Sequence, residues 1–177
     1  MKRILPFVGL MAIGYGAVSP AGADVKRVWL GVQGATCPKC GFSLAKALKQ
    51  VEGVENARIV VKPQHMDVWL RPGAWVDPAK MLALTRRSNL KALPDEIRLT
   101  VTGRVEQQDG SLRVALDEMK TPVELVIVPD AKAPEQAAHL AAEAGSRVEV
   151  EGYWHANAPG ALAITSFRRL DDRAASP

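Results

Sequence analysis

The sequence predicts an α+β protein: a ferredoxin-like β-α-β-β-α-β domain followed by a small OB-like β-barrel. Three observations carry that expectation. Residues 26–93 alternate strand-type and helix-type apolar patterns. Residues 96–170 hold five short alternating strands interrupted by one alanine-rich helix. Residues 1–23 have the make-up of a segment removed before folding.

That first segment reads Met1-Lys2-Arg3, an apolar run from Ile4 to about Gly16, and Ala21-Gly22-Ala23. A short positive region, a short apolar region and a small-x-small site form a secretory signal peptide, cleaved near Ala23. The apolar run is shorter than the roughly 20 residues a membrane-spanning helix needs. No cysteine follows the cleavage site, which argues against a lipid anchor there. A periplasmic location is therefore expected.

In residues 26–93, Val28, Leu30 and Val32 alternate with Trp29, Gly31 and Gln33 and predict a strand. Pro38 suits a first helical turn, and Leu44, Leu48 and Val51 continue at helical spacing up to Gly53. Ala57, Ile59 and Val61 predict a second strand. Met66, Val68 and Leu70 predict a third, after a turn at Lys62-Pro63-Gln64-His65. Asp77-Pro78 caps a second helix through about Arg87, with Asn89 as a candidate left-handed terminator. A short strand over Lys91–Leu93 completes the domain, and Leu93-Pro94-Asp95 is the candidate linker.

In residues 96–170, Ile97, Leu99, Val101 and Val105 alternate with polar residues, and the same strand is a candidate donor to the first sheet. Asp109-Gly110 is a hairpin turn, and Leu112, Val114 and Leu116 pair back across it. Val123, Leu125 and Ile127 form a third barrel strand. Pro134–Ala144 is helical by propensity and stops at Gly145. Val148, Val150 and Trp154 form a fourth strand. Ala161, Ala163, Thr165 and Phe167 form a fifth, and Trp154 and Phe167 fall at core positions. The small, polar tail 171–177 is expected to be disordered.

Composition bounds the function. The formal charge of +4 falls to +2 without Lys2 and Arg3, too mild to point to nucleic acid. Two cysteines do not make a disulfide scaffold. The sequence has no Ser-His-Asp signature, no glycine-rich phosphate loop and no credible carboxylate pair, so a non-enzymatic protein is expected. The barrel is expected to serve as a docking or structural module.

The chemistry concentrates at Gly34-Ala35-Thr36-Cys37-Pro38-Lys39-Cys40-Gly41. Thiolates are soft ligands that select Cu(I), Zn(II) and similar ions over Mg(II) or Ca(II). Cys37 and Cys40, three positions apart on a loop entering a helix, can point at one ion. The helix N-terminus and Lys39 favour thiolate over thiol. Two sulfurs do not close a tetrahedral zinc site unaided, but they suit linear Cu(I).

These residues, with Ala47-Leu48-Lys49-Gln50-Val51-Glu52-Gly53-Val54, resemble the heavy-metal-associated (HMA) domain family over residues 26–93. That family carries a Gly-Met-Thr-Cys-x-x-Cys loop and a helix ending near Val-x-Gly-Val. It includes copper chaperones, modules of metal-pumping ATPases and a periplasmic mercury-binding protein. The resemblance implies an exported carrier of Cu(I), Hg(II) or a similar ion, with Cys37 and Cys40 as ligands and a periplasmic or membrane protein as partner. Two positions depart from the family pattern. Ala35 replaces the usual methionine, and Leu90 stands where the second-helix exit loop often carries an aromatic or a lysine.

Two other readings of the cysteines stay open: a periplasmic thiol-disulfide redox pair and a structural disulfide. His65 and Met66, at the same end of the expected sheet, are candidate third ligands, although Met66 suits the core and His65 a solvated turn. His139 and His155 are expected at the surface.

Overall fold

The structure, a computed structural model, describes residues 24–37, 39–116, 119 and 123–170. The expected signal peptide, Pro38 and the tail from Asp171 lie outside the described residues. The chain runs β1 (Asp24–Gln33), α1 (Phe42–Lys49), β2 (Val54–Val60), β3 (His65–Leu70), α2 (Pro78–Arg86), β4 (Lys91–Gln108), β5 (Ser111–Leu116), β6 (Val123–Pro129), α3 (Glu135–Ala141), β7 (Arg147–Trp154) and β8 (Ala161–Arg169). The fold is mixed α/β, with a closed five-stranded barrel and three helices among the described residues.

The local signals explain most of the elements. Asp77 caps α2 by accepting the Ala79 amide at 2.8 Å, and Pro78 fills the first turn, where an amide would lack a partner. Asp109 and Gly110 both have positive φ, as a two-residue hairpin turn requires. Gly145 (φ 81°) follows the short α3. Asn89 does not end α2 in a left-handed conformation. Arg87 caps the helix with ordinary right-handed geometry, and the Ser88 hydroxyl satisfies the local backbone by donating to Thr85 O and accepting from Leu90 N.

β4 organises the sheet. One edge of it pairs with β1 over residues 91–102 and then with β5 over 104–108. The other edge pairs with β7 over 97–104. The fourth strand is therefore not a short Lys91–Leu93 segment. The same strand serves the β2-β3-β1-β4 sheet and the barrel β4-β5-β6-β8-β7, in which β6 and β8 run parallel. The expected linker Leu93-Pro94-Asp95 lies inside this strand. The β1 register jumps there from Leu30↔Ile97 to Val32↔Ala92, so the intervening residues bulge out of the ladder. A proline, which has no amide to donate, is tolerated at such a bulge.

One face of this sheet is the core. Leu44 and Leu48 of α1 and Met81 and Leu82 of α2 pack with Val28, Leu30, Met66 and Val68. Leu116, Leu125, Leu140, Trp154 and Leu162 fill the barrel, and Phe167 packs partly buried against them. Each large apolar side chain so buried contributes about 1.5–3 kcal/mol. Thr85, buried among them, donates its hydroxyl to Met81 O at 2.9 Å. Among the described residues no helix is long and apolar enough to cross a membrane.

Candidate functional site

The cysteine loop leaves the end of β1 and enters α1. Gly34 starts it with φ 93°, a conformation that a side chain strains. Ala35 is fully buried and packs inward under the loop. Successive tight turns follow, with Cys40 N donating to Cys37 O at 3.0 Å and Phe42 N to Lys39 O at 3.1 Å. Gly41 precedes the helix and lies so close to β2 that an added Cβ would fall 2.7 Å from Ile59 Cβ.

Cys37 and Cys40 are both half-buried, with Cα atoms 5.3 Å apart, and their sulfurs are joined in a disulfide. Neither lies in α1 itself. The helix begins at Phe42, and Cys40 stands just before its N-cap, Gly41. The positive end of the helix is thus near the sulfurs. The Thr36 hydroxyl donates to Cys40 Sγ at 3.6 Å. Around the pair, Thr36, Lys39 and Phe42 face outward, Phe42 at 71 % exposure.

Two neighbouring turns brace the loop. In the β2–β3 turn, Gln64 accepts the Val32 amide at its backbone oxygen (3.3 Å) and the Ala35 amide at Oε1 (3.0 Å). From the α2–β4 turn, Leu90 is buried and its Cδ2 lies 3.7 Å from where a Cβ on Gly34 would stand. Leu90 thus packs as part of the floor of the loop. Sequence reasoning missed Gln64, because a polar turn residue announces no partner 29 positions away.

The other candidate ligands fall elsewhere. Met66 is fully buried in the core. His65 is not a solvated turn residue: it opens β3 at 5 % exposure and stacks on Trp29 with ring centroids 4.6 Å apart. Its Nδ1 lies 2.8 Å from Pro63 O and its Nε2 3.3 Å from Asp67 Oδ1. Among the described residues no three His, Cys, Asp or Glu side chains gather into a metal-holding group. The loop thus presents two sulfurs joined to each other, with no third His, Cys, Asp or Glu side chain gathered beside them among the described residues.

A second feature lies on the sheet face opposite the helices. Register places Arg58, Asp67, Trp29, Arg98 and Tyr153 in one row across β2, β3, β1, β4 and β7. The Arg98 guanidinium lies 4.7 Å from the Trp29 ring centre and 5.1 Å from that of Tyr153. Arg27 and Arg58 both ion-pair with buried Asp67 and both lie over Trp69. The sequence signal was the polar or aromatic residue at most non-core phases of these strands, but only the register joins them.

No family model matches the chain, and neither a curated protein nor a solved structure matches it.

Proposed function

We propose that this chain is an exported carrier of a soft metal ion, which Cys37 and Cys40, once reduced, grip between their two sulfurs. The observation that carries this reading is the pair itself: two adjacent sulfurs on a braced, half-exposed loop at the positive end of α1. With two protein ligands, Cu(I) in linear geometry is the favoured cargo, and Hg(II) or Zn(II) are alternatives. The ion stays accessible, so a thiolate of a partner protein can add as a third ligand while one cysteine leaves. Exposed Phe42 and Lys39 beside the pair suit the docking of such a partner. The role is binding and transfer, with no catalysed reaction.

On this reading residues 26–93 form an HMA domain. The element order β1-α1-β2-β3-α2-β4 and the sheet order β2-β3-β1-β4 support a ferredoxin-like description of it. Residues 96–170 form an OB-like barrel, which the strand-strand-strand-helix-strand-strand order supports, and it serves as the docking or structural module. Residues 1–23 direct the chain to the periplasm and are removed.

The test is Cu(I) titration of the reduced protein lacking residues 1–23 against a competing chelator, with Cys37→Ser and Cys40→Ser alongside. Each serine variant is expected to bind roughly a thousandfold more weakly or worse. Unchanged affinity in both rejects the site, as does a first coordination shell without sulfur by X-ray absorption.

One observation favours a second reading. The cysteines are joined as a disulfide, the oxidised state of a thiol-disulfide redox protein. That reading expects turnover of a disulfide substrate faster than small thiols achieve, and no such turnover removes it.

A further inference from the structure

We infer that Gln64 is the positioning residue of the cysteine pair, holding Cys37 and Cys40 within reach of each other by clamping the loop that carries them. The inference deepens the soft-metal reading and rests on it for its biological consequence. The clamp itself is tested without metal.

The geometry is specific. Gln64 uses its backbone oxygen to hold Val32, the penultimate residue of β1, and its side-chain oxygen to hold Ala35, two residues before Cys37. Ala35 is fully buried, so its amide has no access to water and depends on this acceptor. The turn bearing Gln64 is itself fixed. His65 is buried, stacked on Trp29, and within hydrogen-bonding distance of Pro63 O. Gln64 therefore stands on a rigid base and reaches across to a loop whose own ties are short-range turns.

A loop held in the shape that brings two sulfurs together loses less freedom when they are bridged. The bridge can be a disulfide bond or one metal ion. Without the clamp, the dithiol loop spreads over more conformations, and both bridged states lose by comparison. The direction follows. Removing the acceptor makes the intramolecular disulfide easier to reduce and, on the metal reading, weakens Cu(I) binding in parallel.

The experiment equilibrates the protein with glutathione. Oxidised glutathione takes two electrons and two protons from the Cys37 and Cys40 thiols; two glutathione thiols and the intramolecular disulfide result. Gln64→Met keeps the length of the side chain and removes the acceptor, whereas Gln64→Glu keeps an acceptor. Working at about 0.5 M salt screens the charge that glutamate adds. The Met variant is expected to lower the equilibrium constant for disulfide formation about three- to tenfold, the scale of one hydrogen bond. That is roughly 15–30 mV toward less negative potential. The Glu variant is expected to return to within about twofold of the parent. A Met variant that keeps the parental potential overturns the inference, and so does a Glu variant shifted as far as Met. Cu(I) titration of the same proteins separates the two readings. A shifted potential with no Cu(I) binding in the parent leaves the clamp standing and removes the carrier. Parental potential with tight Cu(I) binding does the reverse.

Discussion

The cysteine loop leaves the same strand, β1, that carries Trp29 of the arginine-aromatic row, yet the two regions dispose of their polar groups in opposite ways. In the row, side chains answer one another. Asp67, at 1 % exposure, takes Arg27, Arg58 and His65, and the Arg98 guanidinium lies between two aromatic rings. In the loop, the backbone is tied while the side chains of Thr36, Lys39 and Phe42 face outward. Groups spent on each other stabilise the folded chain. Groups presented outward from a fixed backbone contribute little to stability and remain available to a ligand. Stability and ligand binding should therefore respond separately to changes in the two regions.

The largest effect belongs to the loop. Cys37→Ser or Cys40→Ser should cost roughly a thousandfold in Cu(I) affinity. The melting temperature should change little, because so short a disulfide loop removes little freedom from the unfolded chain. A melting temperature that falls steeply in both variants would show that the loop is part of the stabilising framework. Asp67→Ala is the reciprocal experiment. It leaves Arg27 and Arg58 without their common acceptor, and breaking a buried ion pair costs about 3–5 kcal/mol. Arg27 and Arg58 have side chains 44 % and 65 % exposed, so water offsets part of this and about 2–3 kcal/mol is expected by urea denaturation. Cu(I) affinity should change far less than in the cysteine variants, by no more than about threefold, since Asp67 reaches the loop only indirectly, through His65 and the Gln64 turn. A tenfold loss would join the regions that the comparison separates.

Two smaller changes sharpen the account of the sheet. A Cβ at Gly152 would stand 2.5 Å from Ala163 O, where β7 and β8 shift register. Gly152→Ala should destabilise by about 1–3 kcal/mol through displaced backbone. Arg98→Lys keeps the charge but loses the planar contact with Trp29 and Tyr153. About 0.5–1 kcal/mol should be lost, measurable by urea midpoint. No loss would mean that the Arg98 stack is geometry without energy. The Arg98 Nε atom, buried and without a hydrogen-bond partner among the described residues, offsets part of what the rings supply.

The two regions also differ in how far the sequence discloses them. The cysteine pair was legible as a pair because its residues are nearly consecutive, and two sulfurs three positions apart on a turn lie within reach of each other. Asp77-Pro78 and Asp109-Gly110 were legible for the same reason: a cap and a hairpin turn are local. The full length of β4 was not. Leu93-Pro94-Asp95 has the composition of a linker, and only a bulge against β1 lets a proline sit inside a strand. The row was invisible because Arg58, Asp67, Trp29, Arg98 and Tyr153 come from five strands, and pairing register decides that they align. His65 looked solvated for a related reason. Its cover is Trp29, a residue of another strand. Gln64 combines both difficulties, a turn residue by composition and a clamp only by tertiary contact.

The smallest expected effect tests a third arrangement on the same outer face. Glu149 of β7 receives Arg168 of β8 at 2.8 Å and Lys26 of β1 at 2.5 Å. The hydrogen bond from Arg168 is the main influence holding its carboxyl below the ordinary 4.5; partial burial pushes the other way, and Lys26 adds to the lowering. A carboxylate whose folded-state value is depressed stabilises the fold fully above the unfolded value, near 4.5. That stabilisation is lost as pH falls through the folded value. The parent should therefore have the higher urea midpoint over Glu149→Gln at about pH 7, and the gap should narrow steadily below about pH 4.5. Salt near 0.5 M should shrink the gap at neutral pH, because both cations are largely exposed. A gap that ignores both pH and salt would mean that glutamine fails through shape, and that Lys26 and Arg168 rest beside Glu149 without contributing charge stabilisation.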